Sequence, residues 1–293
     1  DFIMNLEKIL HVLMQEVSRP DYLRQFENIK CDDQYYYLYK HLSFDPKLQV
    51  LNLFKKLQLK FTHPDNFNDP YDCMASIEFN NAPNDVKEIL HQHFSTAIKA
   101  KLSVTCFNNN PLNMLMWSHY AQSHKGFLVE FKIPHPNPKA MVHEVFNVQA
   151  VKYQNEFPKI PLDISNPLAM FDVANGAKLL DFVTNQYLIK STDWSYENEF
   201  RTLAHDYDSS NFNSLLKEIP ATYISSVILG AKLTNHDPNK MALIESINYF
   251  NKYYQQDIKV YEAVLKPNSF KITVPNHPIL DKNTKTLAAF LSN

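Results

Sequence analysis

Leu102-Ser-Val-Thr-Cys-Phe107, Asn108-Asn-Asn-Pro111, Leu112 to Ser123 and Gly126-Phe-Leu-Val-Glu-Phe131 follow one another closely in the chain. The first block is apolar and β-branched and reads as a strand. The Asn-Asn-Asn-Pro run breaks it. Leu112 to Ser123 predicts a helix, with Met116, His119, Tyr120 and Ser123 on one face and Trp117 with His124 on another. Gly126 stands where a C-terminal cap or turn glycine belongs. Gly126 to Phe131 predicts the next strand. Strand, helix and strand thus alternate here.

Outward from this centre the pattern stays mixed. Tyr35 to Lys40 predicts a strand by its aromatic content, and Leu57, Leu59 and Phe61 alternate with the strand period. A short helix through Val50, Leu53 and Phe54 lies between them. Asn84 or Asp85 is placed to cap a helix carrying Val86, Ile89, Leu90, Phe94 and Ile98. Further strands are expected at 142–151, 200–203, 223–229, 258–265 and 270–274, and helices at 167–189 and 240–251. Ile3, Leu6, Leu10, Leu13 and Val17 recur at helical spacing, so residues 1–30 read as an N-terminal helical extension suited to docking a protein partner. No regular βαβ rhythm or internal repeat emerges. Residues 31–293 therefore read as a single α+β domain with a mixed or antiparallel central sheet flanked by helices.

Composition narrows the chemistry. Only 3 of 293 residues are glycine. No Walker loop, G-x-G-x-x-G fingerprint or G-x-S-x-G elbow can be written with them. A phosphate or nucleotide site must then be built from side chains and ordinary backbone. Lys and Arg total 29 against 31 Asp and Glu, so no basic excess marks a general nucleic-acid binder. Cys31, Cys73 and Cys106 are far apart and form no C-x-x-C, which predicts free thiols in a reducing compartment. There is no transmembrane-length apolar run and no signal-peptide pattern, so a cytoplasmic location is expected.

Three stretches concentrate residues able to do chemistry. The first joins Tyr39-Lys-His-Leu-Ser43 to Asn66-Phe-Asn-Asp-Pro-Tyr-Asp72, which reads either as Asx-type loop chemistry or as part of a site. Asp69 and Asp72 are assigned here to loop structure. The second is Met116-Trp-Ser-His-Tyr120, either an aromatic helix packed in the core or a wall beside a planar ligand. The third is Trp194-Ser-Tyr-Glu-Asn-Glu-Phe-Arg201. If extended, Glu197, Glu199 and Arg201 share a face and the two carboxylates hold one cation or raise each other's pKa. If helical, Glu197 and Arg201 form a surface ion pair. No metal site is expected: His91 with His93, and His119 with His124, match no zinc spacing.

Taken in order, Leu38-Tyr-Lys-His-Leu-Ser43, Asn66 to Asp72, Met116-Trp-Ser-His-Tyr-Ala121 through Gly126-Phe127, and Trp194 through Glu197-x-Glu199-Phe-Arg201 resemble a widespread bacterial family of unknown function. That family is related in pattern to abortive-infection, or phage-defence, proteins. The order of first strand, aromatic helix and E-x-E also resembles the ADP-ribosyltransferase superfamily, which binds NAD without a glycine-rich loop. The resemblance implies that Tyr39, Lys40 or His41 holds the adenosine ribose or pyrophosphate side. Trp117 or Tyr120 would stack on nicotinamide, Glu199 would be the catalytic carboxylate, and Glu197 would orient or deprotonate the acceptor. Ser43, His119 and Arg201 complete the expected NAD-binding set. The leading expectation is an NAD-using transferase in defence or toxin action, on a protein or nucleic-acid acceptor. Its rival is a non-catalytic sensor or interaction module of a defence system.

Overall fold

The structure is a computed structural model and describes residues 26–74, 76–80, 83–85, 87–88, 102–135, 142–157, 159–163, 186–205, 214–281 and 285–288. The helices expected over 3–17, 84–98 and 167–189 lie wholly or largely outside these residues, as do His91 and His93. The strands are β1 (Tyr35–Leu42), β2 (Gln58–Thr62), β3 (Ser76–Asn80), β4 (Leu102–Asn108), β5 (Phe127–Pro134), β6 (Gln149–Ala150), β7 (Lys152–Tyr153) and β8 (Lys159–Asp163). They continue as β9 (Ile189–Lys190), β10 (Glu199–His205), β11 (Ser214–Glu218), β12 (Ile224–Leu229), β13 (Lys259–Glu262), β14 (Val264–Leu265) and β15 (Ile272–Thr273). Among the described residues, α-helices with full ranges are α1 (Asn52–Lys55), α2 (Met114–Tyr120) and α3 (Pro238–Tyr253).

Among the described residues nine strands form one mixed sheet, and the fold is α+β. β1 pairs antiparallel with β5 from Tyr35↔Pro134 to Leu42↔Phe127. β12 lies antiparallel to β5, and β13 follows parallel to β12. β10 pairs along the whole of β4, from Glu199↔Asn108 to His205↔Leu102. β4 also meets β1 at Tyr39↔Asn108 and β2 at Thr62↔Val104. Register brings the start of β10 and the end of β4 together beside β1, and the site is built there.

The sheet is buried on both faces, which is why β1 reads as an aromatic run rather than an alternation. Tyr36 and Leu38 enter a core with Phe107, Val129 and Phe131, covered by Leu53 and Phe54 of α1 and by Leu243, Ile247 and Phe250 of α3. Tyr37 and Tyr39 point the other way, into a core with Trp117, Leu128, Ile228, Ile272 and Val274. α3 starts one residue past Asp237, whose carboxylate accepts the Asn239 N–H at 2.9 Å, with Pro238 in the first turn.

Several elements differ from the sequence pattern. α2 is shorter than 112–123, because Asn113 caps it at one end and Gln122, Ser123 and His124 take left-handed φ values of 49°, 53° and 69° at the other. Gly126 does not adopt a positive φ. Its need is space: a Cβ there would meet the Leu42 carbonyl oxygen at 2.2 Å. The strand expected at 142–151 is a 3₁₀ turn at Glu144–Phe146 followed by the short β6. The His143 ring caps that turn by accepting the Val145 N–H. Ile189, expected to end a helix, instead forms β9 with Lys190 against Lys152 and Tyr153.

Candidate functional site

The segment Trp194 to Arg201 is neither all helix nor all strand. Thr192–Glu197 is a 3₁₀ helix, Asn198 turns the chain with φ 44° and ψ 56°, and β10 begins at Glu199. Asn tolerates this left-handed geometry better than most residues. The turn lets Glu197 from the helix and Glu199 from the strand reach one ammonium. Lys190 Nζ, delivered by β9, lies 2.6 Å from Glu197 Oε2 and 3.4 Å from Glu199 Oε2. It also lies 3.4 Å from Asp72 Oδ2 and sits over the Trp194 ring at 4.8 Å. The surface ion-pair alternative for this segment is therefore wrong, because Glu197, Glu199 and Arg201 are all buried.

Arg201 completes the cluster. Its Nε donates to Glu199 Oε1 at 2.8 Å and its Nη2 to Glu199 Oε2 at 2.9 Å. Its Nη1 and Nη2 donate to Asp72 Oδ1 and Oδ2 at 2.8 and 2.7 Å, and Nη1 also reaches the Tyr187 carbonyl at 2.8 Å. A guanidinium has five N–H groups, and these five bonds use them all. Arg201 thus organises the cavity wall and has no N–H left for a ligand. Asp72, assigned to loop structure from sequence, belongs to the cluster. Asp69 does serve its loop, accepting the Tyr71 N–H at 2.9 Å.

The network separates the two carboxylates electrically. Burial alone would raise both. At Glu199 the Arg201 guanidinium and the Lys190 ammonium outweigh burial and hold the carboxyl well below the usual range, so it is ionised. At Glu197 burial and repulsion from Glu199 prevail over Lys190, pushing it up to about 7. Lys190 stays charged, since the surrounding carboxylates overcome the cost of its burial. Glu197 Oε1 accepts the Tyr120 hydroxyl, and Tyr120 Oη accepts Asn68 Nδ2 at 3.3 Å.

These groups line a cavity of about 360 Å³. Phe67, Phe107, Met116, His119 and Tyr120 supply its apolar and aromatic wall, and Asn68, Lys40 and His41 its other polar groups. Lys40 Nζ donates to the Cys106 carbonyl at 2.8 Å and to Thr105 Oγ1 at 3.1 Å, and burial lowers its pKa. Burial pushes His41 down to about 3, so the ring is neutral, with Asn108 Nδ2 3.1 Å from its Nδ1. His119 Nδ1 meets the Tyr196 hydroxyl at 2.9 Å, and its ring packs edge-on against Trp194.

Of the residues expected from sequence, Lys40, His41, His119, Tyr120, Glu197, Glu199 and Arg201 border this cavity. Three stand apart from its wall. Trp117 is fully buried, with its Nε1 donating to the Pro111 carbonyl at 2.8 Å and His41 edge-on at 5.0 Å. Tyr39 is likewise fully buried, in the same core as Trp117. Ser43 donates to the Tyr120 carbonyl at 3.0 Å and so anchors the end of α2. Lys190 was not among the expected site residues, Asp72 was assigned to its loop, and Asn68 was left open between loop and site. The Asn-Asp-Pro stretch was a usable signal for the last two, whereas Lys190 closes an apolar run that carries none.

Residues 116–202 match the family described as "Protein of unknown function (DUF2971)". The DUF2971-like segment runs from Met116 in α2 to Thr202 in β10. It holds His119, Tyr120, Lys190, Glu197, Glu199 and Arg201, while Asn68 and Asp72 reach it from outside. No curated protein and no solved structure matches the chain. Among the described residues no helix is long and apolar enough to cross a membrane.

Proposed function

We propose that the chain is an NAD-using, ADP-ribosyltransferase-like effector of bacterial defence or toxin action, cleaving the bond between nicotinamide and ribose and passing ADP-ribose to an acceptor. The observation that carries this reading is the split carboxylate pair. Glu199 is ionised beside Glu197, which titrates near neutral pH, and both face one aromatic-walled cavity. Two carboxylates pushed apart in pKa can divide acid–base and electrostatic duties. Departure of nicotinamide leaves positive charge on the ribose, and a placed carboxylate stabilises such charge as it develops.

Charge balance supports the same reading. Three carboxylates, Asp72, Glu197 and Glu199, stand against the two cations Lys190 and Arg201. This carboxylate-rich end of the cavity suits a cationic pyridinium ring and an oxocarbenium-like ribose. Lys40 makes no carboxylate bond among the described residues, which suits the phosphate side of a dinucleotide. Backbone amides of a glycine-rich loop are not needed.

One observation favours a second reading, a non-catalytic sensor module in a defence system. Arg201 and Glu199 are saturated by protein partners, as in a site that binds without turning over. Labelled NAD separates the two readings. Nicotinamide release and label transfer by wild type, lost in Glu197→Gln, support the enzyme. NAD binding by calorimetry without release supports the sensor. The absence of both release and binding overturns the NAD reading.

A further inference from the structure

The hydrogen-bond order around Tyr120 fixes where protons can travel. Asn68 Nδ2 donates to Tyr120 Oη, so the phenol's own hydrogen is committed to Glu197 Oε1. Lys190 Nζ occupies the other oxygen, Oε2, at 2.6 Å. A proton arriving at Glu197 therefore lands on Oε1, and it arrives through Tyr120. Glu197 itself is almost wholly buried, whereas Tyr120 is half-buried and lines the cavity. The phenol accepts one bond from Asn68 and keeps a second lone pair for a ligand.

We propose that Tyr120 is a catalytic residue that relays a proton from an O–H acceptor to Glu197, a role distinct from the ring stacking its place on the aromatic helix implied. This inference rests on the NAD reading for its substrate, and on the hydrogen-bond chain alone for the relay. In the step, the acceptor oxygen forms a bond to the anomeric carbon of the nicotinamide ribose. The carbon–nitrogen bond breaks and its electron pair leaves with neutral nicotinamide. The acceptor proton passes to Tyr120 Oη as the Tyr120 proton passes to Glu197 Oε1. The phenol stays neutral throughout, because burial and the adjoining Glu197 hold its pKa well above the ordinary value. The acceptor is an O–H group: water gives free ADP-ribose, and a hydroxyl gives a transferred label.

The groups facing Glu197 are Tyr120 from α2, Lys190 from β9, Glu199 from β10 and Tyr153 from β7, with Tyr196 beside it on its own 3₁₀ helix. Of these, only Tyr120 offers a hydroxyl hydrogen to Oε1 among the bonds of the described residues.

Tyr120→Phe keeps the ring and removes the relay. In the full chain with NAD, kcat should fall about 100-fold, a loss typical of removing one general acid–base step, with KM for NAD within about 2-fold. A stacking role predicts instead that Tyr120→Phe resembles wild type and that Tyr120→Ala raises KM, which would overturn the relay. A second measurement needs no turnover. The protonated-carboxyl infrared band of Glu197, assigned by its absence in Glu197→Gln, should titrate higher in Tyr120→Phe because a donor to the carboxylate is lost. Replacing Tyr120 with a difluorotyrosine, which keeps the hydroxyl and donates more strongly, should move the band's titration lower. If wild type shows no turnover, the transferase reading fails and with it the catalytic relay, and the infrared arm decides only whether Tyr120 donates to Glu197. An unmoved band in both substitutions overturns that donation and the relay with it.

Discussion

Arg201 and Asp72 meet as a two-bond fork, Nη1 to Oδ1 at 2.8 Å and Nη2 to Oδ2 at 2.7 Å, across 129 residues of chain. The contact ties β10 to the loop that carries Asn68. That loop then reaches the cavity a second time, through the Asn68–Tyr120–Glu197 chain. One guanidinium thus sets the position of Glu199 directly and holds the loop whose amide orders the Tyr120 hydroxyl. Position and protonation in the site share a single buried anchor.

Arg201→Met should cost about 3–5 kcal/mol of unfolding free energy, because it leaves Asp72 and Glu199 buried without their main partner. Arg201→Lys should recover little of this, since an ammonium cannot make two forks at once. Urea unfolding at neutral pH measures both. A loss below about 1 kcal/mol, the range of exposed pairs, would show that the cluster is not a structural anchor.

Lys190→Met should move Glu197 in a defined direction. The ammonium favours the ionised carboxylate, so its removal leaves burial and Glu199 unopposed and drives the Glu197 titration above about 7. The same infrared band reports it. Lys190→Arg keeps the charge and should hold the titration closer to wild type. Equal titration in the Met variant and wild type would show that Lys190 does not set the pKa.

A second buried network predicts a pH effect away from the cavity. Ser226 Oγ donates to Glu130 Oε1 at 3.1 Å, and His277 Nε2 lies 3.1 Å from Ser226 Oγ and 3.4 Å from Glu130 Oε2. His277 Nδ1 accepts the Ile279 and Leu280 N–H groups, so the ring hydrogen is on Nε2. Burial raises Glu130 from 4.5 to about 7 and lowers His277 from 6.5 to about 4. The raised carboxyl contributes stability that is fully present below about 4.5 and lost as pH rises through about 7. The lowered imidazole contributes stability present above about 6.5 and lost as pH falls through about 4. Glu130→Gln imitates the neutral acid. It should match wild type near pH 4.5 and exceed it at pH 8, by up to about 3 kcal/mol at 1.36 kcal/mol per unit. Denaturant midpoints at the two pH values check this, and a variant less stable at pH 8 would contradict it.

Sequence alone carried the sheet better than the site, for a physical reason. Strands such as β1, β4 and β5 are apolar or aromatic runs whose pattern follows from burial, and they fall close to where periodicity put them. The faces of α2 were also legible: Met116, His119 and Tyr120 border the cavity while Trp117 points into the core, the division that helical spacing requires. The segment around Glu197 was not. Its chemistry depends on Asn198 turning a 3₁₀ helix into a strand, a one-residue event that neither period describes. Lys190 and Asp72 acquire their roles only through tertiary pairing, β9 with β7 and the loop with Arg201, and no local pattern encodes such meetings.

The scarce glycines give the last prediction. Gly126 and Gly230 stand against each other at one corner, the Gly230 N–H donating to the Gly126 carbonyl at 2.9 Å. A Cβ on Gly126 would lie 2.2 Å from the Leu42 oxygen and 2.9 Å from Ala121 backbone atoms. One on Gly230 would lie 2.2 Å from the His124 oxygen. These obstacles are backbone and cannot turn aside as a side chain would. Ala at either position must push β1 or the end of α2 away, and α2 carries Tyr120. Gly126→Ala should therefore lose at least the upper part of the ~1–3 kcal/mol typical of overpacking. Gly230→Ala should do the same, and because the two share a corner their effects should fall short of additive in a double-mutant cycle. Simple additivity would mean that each strains its own surroundings and that the corner does not move as one piece.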